Sequence, residues 1–66
     1  MQAQAKIYPN GNSATFEKNH AFYVVKVYLG PELHDKILCD DYRMARDYFR
    51  AFCATAKNNN RKGTQS

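Results

Sequence analysis

From residue 42 onward the apolar positions recur with the spacing of a helix. At about 100° per residue, Tyr42, Ala45, Phe49, Phe52, Cys53 and Ala56 share one arc. Arg43, Arg46, Arg50 and Lys57 share the arc beside it. The apolar arc predicts a helix over 42–57 packed on a neighbouring layer, with the arginines turned to solvent. Asp40 or Asp41 stands where it can cap the start, since a carboxylate there accepts from free backbone N–H groups and meets the positive end of the helix dipole. Neither Arg43 nor Met44 is Glu or Gln, so no capping box forms. Asn58, Asn59 and Asn60 form a natural stop.

Upstream, the helical period gives way to alternation. Residues 1–8 alternate weakly, with Ala3, Ala5 and Ile7 on one side and Gln4, Lys6 and Tyr8 on the other. Pro9-Asn10-Gly11-Asn12 reads as a turn, because Pro fixes φ and Asn-Gly tolerates positive φ. Ser13 to Glu17 reads as a short second strand, and Lys18-Asn19-His20 as a polar break. Ala21 to Leu29 is the strongest strand, rich in β-branched and aromatic residues. Its Tyr23, Val25, Val27 and Leu29 form a wholly apolar side expected to meet the helix. Phe22, Val24, Lys26 and Tyr28 form the other side. Gly30-Pro31 ends this strand, residues 32–36 read as a polar connection, and Lys36 to Cys39 as a short final strand.

The expected fold class is α+β: a small three- or four-stranded antiparallel sheet with one C-terminal helix packed on one face. Residues 1–57 form a single compact domain, and 58–66 a polar tail expected to be disordered. One helix covers one face of a sheet. Tyr8, Phe22, Val24, Lys26 and Tyr28 are assigned to the helix-free face, where several large apolar groups need cover. A homodimer of two sheets packed face to face is the favoured cover. It also relieves the small core of a 66-residue chain, since a domain of that size buries only about 60% of its unfolded surface. A base-stacking platform aided by Lys6 and Lys26, or the tail folded back, would serve the same end.

Charge sharpens this division. The net charge is +4, but residues 1–41 hold four lysines against five acids, a net of −1. Residues 42–66 hold Arg43, Arg46, Arg50, Lys57, Arg61 and Lys62 against Asp47 alone, a net of +5. These six side chains form the candidate binding face of helix and tail, suited to phosphates or to an acidic protein groove. The bland alternative is a solvated face that keeps a small protein in solution.

Chemistry beyond binding finds little support. Cys39 and Cys53 are too few for a disulfide scaffold. They are separated by about 15 Å of helix, whereas a disulfide needs Cα atoms within about 7 Å. Both are expected to be buried small hydrophobes. No zinc-type spacing links them to His20 or His34, and no phosphate-binding glycine loop exists, so neither metal nor cofactor is expected. His34, Asp35, Asp40 and Asp41 could in principle gather an acid–base pair, but a domain this small rarely has room for the pocket. The longest apolar run, Ala21 to Val25, is far short of a membrane span. The opening MQAQAKIYPNG lacks the apolar core of a secretory leader, so a reducing cytoplasm is the expected compartment. The sequence therefore predicts a small non-enzymatic binding protein of adaptor or inhibitor type. It would act through protein–protein contacts, as a homodimer. The alternative is a nucleic-acid-binding accessory protein using the basic helix face and tail.

Overall fold

The computed structural model describes residues 3–59. The chain runs β1 (Ala3–Ile7), β2 (Ser13–Lys18), β3 (Tyr23–Leu29), β4 (Glu32–Cys39) and α1 (Tyr42–Asn58). The strands form one antiparallel sheet in the order β1-β2-β3-β4, and the helix packs on one face, mainly over β3 and β2. The protein is an α+β domain of the expected architecture, with the four-strand form realised.

The core lies between helix and sheet. Phe16, Val25, Cys39 and Ala45 are its buried centre, with Tyr23, Ile37, Phe49 and Phe52 packed around them. Ala45 and Ala56 are fully buried, so small side chains mark where the helix approaches closest. Phe16 organises the aromatic part, with ring centroids 5.6 Å from Tyr23, 5.6 Å from Phe49 and 6.2 Å from Tyr42. Such edge-on and tilted pairs stabilise by about 0.5–1.5 kcal/mol beyond their burial.

Two elements differ from expectation. Residues 32–36 are strand, not connection. Gly30, at φ +67, opens a two-residue turn with Pro31, and this turn folds the chain straight back along β3. Positive φ at the first turn position is the hairpin geometry that glycine supplies without strain. An edge strand exposed to water tolerates the polar sequence Glu32-Leu33-His34-Asp35-Lys36, so composition misled where pairing decided. The register shifts at Val27/Tyr28, leaving His34 as the extra residue of a bulge. The third strand, in turn, begins at Tyr23 rather than Ala21. Phe22 belongs to the preceding turn, where its carbonyl accepts from the Asn19 N–H at 2.7 Å.

Asp41, and not Asp40, caps the helix. Its carboxylate accepts from the Met44 N–H at 3.0 Å, three residues into the first turn. Asp41→Ala is expected to cost about 1 kcal/mol of stability in urea unfolding, and Asp40→Ala much less.

The other end of the helix is held from afar. Asn12 has no solvent exposure, and its side-chain amide donates to the carbonyls of Ala56 (3.1 Å) and Asn59 (2.8 Å). Its side-chain oxygen accepts from the Gly30 N–H at 2.8 Å. Asn10 adds a donation to the Ala56 carbonyl at 2.9 Å and accepts from the Asn12 N–H at 2.9 Å. The β1–β2 turn therefore caps the carbonyl end of α1, where four acceptors otherwise lack partners. The helix runs through Asn58 and Asn59 is its cap, so the first two residues assigned to the tail belong to the fold. The remainder of that tail, including Arg61 and Lys62, lies outside the described residues.

Candidate functional site

Pairing through the β1–β2 turn sets which side of β1 faces the helix. Gln4 stands opposite Phe16, and Lys6 opposite Ala14, so both point to the helix side. Tyr8 follows in the same alternation. Ala3, Ala5 and Ile7 share the helix-free face with Glu17, Thr15 and Ser13. The assignment of Tyr8 and Lys6 to the helix-free face is thus corrected. A shift of one residue moves every side chain of a strand to the other face, and the turn geometry makes that choice.

The helix does not reach across to β1. Phe16 and Ala14 of β2 are buried beneath it, while every residue of β1 is exposed. Between the overhanging strand and the helix flank runs a groove of about 740 Å³. Ala3, Gln4 and Lys6 line it from the strand and Tyr8 from just beyond it, Tyr42, Arg46, Phe49, Arg50 and Cys53 from the helix, with Phe16 beneath. Its lining holds three cations (Lys6, Arg46, Arg50) and no acid. The basic arc of α1 is therefore not simply turned to solvent. Half of its charge looks across a groove at a lysine from the first strand.

The aromatic wall prepares these cations. The Arg46 guanidinium stands 5.8 Å from the centroid of the Tyr42 ring, a cation–π distance that orders the side chain while leaving its N–H groups free to donate. Arg43 and Lys57 lie on the same helical arc, exposed, but outside the groove lining.

Tyr8 and Cys53 close one end. Tyr8 stands beside Cys53, and hydrogen bonding with that side chain, then burial and its charge, raise Tyr8 above its ordinary value of 10.0. Cys53 is half-buried rather than core, in contrast to the expectation for it. Cys39 is buried, and burial first, then the charges of Asp40 and Asp41, push its thiol above the ordinary 9.0. Two measurable results follow. A disulfide reagent should label Cys53 well before Cys39, because attack needs an accessible thiolate. Stability should hold up to about pH 9 and fall above it, because the unfolded chain releases the Cys39 proton at lower pH than the folded chain does. In Cys39→Ala that part of the alkaline loss should vanish.

The helix-free face carries two largely apolar rows with a basic row between. Ile7, Ser13, Tyr28 and Leu33 lie in one row across the sheet, and Ala3, Glu17, Val24 and Leu38 in another, where Val24 is buried rather than in need of cover. Ile7 (79%), Leu38 (56%) and Leu33 (50%) are the most exposed of these. Sequence reasoning missed all three: the bulge at His34 returns Leu33 and Leu38 to one face despite their odd spacing, and Ile7 lies on the side of β1 opposite to the one assigned. Lys26 stands directly opposite Lys36 in the row between them. Phe22, at the turn, is partly exposed at 37%.

The acid–base candidates do not converge. His34 sits at the β4 bulge, six residues before Asp40, about 20 Å away along extended chain, and Asp41 is engaged at the helix cap. Among the described residues no group of three or more His, Cys, Asp or Glu could hold a metal ion, and no helix is long and apolar enough to cross a membrane.

No family model matches the chain, and no curated protein or solved structure matches it either. The class that fold and site define is a small α+β domain carrying a basic, aromatic-walled groove between an edge strand and the helix.

Proposed function

We propose that the chain is a non-enzymatic binding module, of adaptor or inhibitor type, that holds an acidic segment of another protein in the groove between β1 and α1. The observation that carries this is the lining itself: Lys6, Arg46 and Arg50 converge with no acid among them, beside aromatic rings that exclude water from one wall. Arginine forks pair bidentately with carboxylates, and a groove that is part apolar strengthens such pairs. Two free cysteines fit the reducing cytoplasm we propose as its compartment.

A second reading is a nucleic-acid-binding accessory protein, favoured by the same cations together with Tyr8 and Tyr42 as stacking surfaces. Against it, the remaining cations are divided between the two faces of the sheet, Lys26 and Lys36 lying opposite the groove. One strand of phosphates cannot track both. A homodimer through the helix-free face draws support from exposed Ile7, Leu33 and Leu38, but a two-fold axis through its middle would bring Lys26 and Lys36 of both copies together.

The test is a comparison of polyglutamate with an oligothymidylate at increasing salt. Saturable binding of polyglutamate with the weaker binding of the oligonucleotide is the expected result. Tighter oligonucleotide binding, with log K falling at a slope of about −2 against log salt for three phosphate contacts, would replace the first reading by the second. Sedimentation at high concentration gives the mass of the free protein, and a dimer there would restore the face-to-face reading.

A further inference from the structure

We propose that the partner's acidic segment binds as an added antiparallel strand on the free edge of β1, with alternate carboxylates reaching into the groove. The proposal rests on the groove being the binding site and names how the occupant is held.

The geometry of the edge supplies the reason. The Tyr8 N–H donates to the Asn12 carbonyl at 2.9 Å, so Tyr8 turns its backbone groups toward β2. Successive residues of an antiparallel strand alternate in this direction. Gln4 and Lys6 therefore also bond inward, while the N–H and C=O groups of Ala3, Ala5 and Ile7 point outward from the sheet. β1 is terminal in the strand order, pairs with β2 without a bulge, and carries Lys6 as its sole charge. The opposite edge is defended. β4 has a bulge at His34 and the charges of Glu32, Asp35 and Lys36, devices that discourage a further strand. One edge of the sheet is thus closed to pairing and the other open, and the open one borders the basic groove.

Register completes the argument. A residue placed opposite Ala5 exchanges both backbone bonds with it and sends its side chain to the helix-free face. The residues on either side of it stand opposite Gln4 and Lys6, and their side chains point to the helix side, toward Arg46 and Arg50. An alternating sequence with acids at every second position matches both demands. Main-chain bonds give the affinity, and the alternate side chains give the specificity.

The experiment uses a short, terminally blocked peptide of alternating Glu and Thr. On binding, amide exchange at Ala3, Ala5 and Ile7 should slow by at least tenfold, while Gln4 and Lys6, already bonded to β2, change little. N-methylation of the Thr residues, whose N–H groups face β1, should weaken binding at least tenfold. N-methylation of the Glu residues, whose N–H groups face away, should leave it unchanged. Ala5→Pro, which removes an outward N–H without touching the β2 ladder, should weaken the parent peptide to the same degree with an unchanged helical spectrum. Equal binding of all three peptides would overturn strand addition while leaving the groove as the acidic site. Failure of both this peptide and polyglutamate to bind would overturn the groove reading and the proposal with it. Slow exchange at Ala3, Ala5 and Ile7 in the free protein, together with a doubled mass, would assign the edge to a second copy of the chain and overturn the proposal.

Discussion

Asn12→Asp is expected to remove a large share of the protein's folding stability. The substitution keeps the shape of the side chain and changes only an amide nitrogen into oxygen. That nitrogen donates to the carbonyls of Ala56 and Asn59, at the negative end of the helix dipole. An aspartate would present a charged oxygen to two carbonyl oxygens at a site with no solvent exposure. Losing two buried donations and burying an unpaired charge costs about 3–5 kcal/mol. A domain of 66 residues holds roughly 3–10 kcal/mol, at about 0.05–0.15 kcal/mol per residue. The loss is therefore a large share of the whole. Helical circular dichroism against urea measures it directly. Asn12→Ala, which removes the same two donations but adds no charge and leaves Asn10 on the Ala56 carbonyl, should lose less. A variant as stable as the parent would show that the turn does not hold the helix end.

The second large effect concerns binding. Reversing charge in the groove with Arg46→Glu and Arg50→Glu together should weaken polyglutamate binding at least a hundredfold. Each lost charge-assisted hydrogen bond contributes about 1.5–3 kcal/mol, and the introduced carboxylates add repulsion. Lys6→Glu alone should cost at least tenfold on the same basis of about 1.4 kcal/mol per factor of ten. Arg43→Glu, on the same arc but outside the groove lining, should produce a far smaller change. That contrast separates a shaped site from a general field, since long-range attraction would respond alike to every charge on the helix. All four positions are exposed, so thermal stability should stay close to the parent's. Equal losses at Arg43 and Arg46 would remove the groove from the account and leave only net charge.

The helix and the strongest strand were legible for a simple reason. Each carries a long periodic pattern, and local periodicity is written in adjacent residues. The arc holding Ala45, Phe49 and Phe52 did turn inward, and Val25 and Val27 did meet it. β4 was half legible, because an exposed edge strand needs no apolar alternation and its first residues are held by pairing to β3 alone. The groove was not legible. Lys6 and Tyr8 alternate with Ile7 in the sequence, but nothing local says which set faces the helix. The paired role of Asn12 was equally hidden, since its partners Ala56 and Asn59 lie more than forty residues away.

What the chain alone determined is thus the helix and the central strand, the α+β class, the Asp40–Asp41 helix start and the arginine row, all properties of short windows read at a period of 3.6 or 2. Tertiary structure decided which face each strand shows, where the helix stops over the sheet, and therefore that Arg46 and Arg50 line one groove with Lys6. The physical reason is that strand parity and helix footprint depend on turn geometry and on contacts between residues far apart in sequence. No window along the chain holds both partners of such a contact.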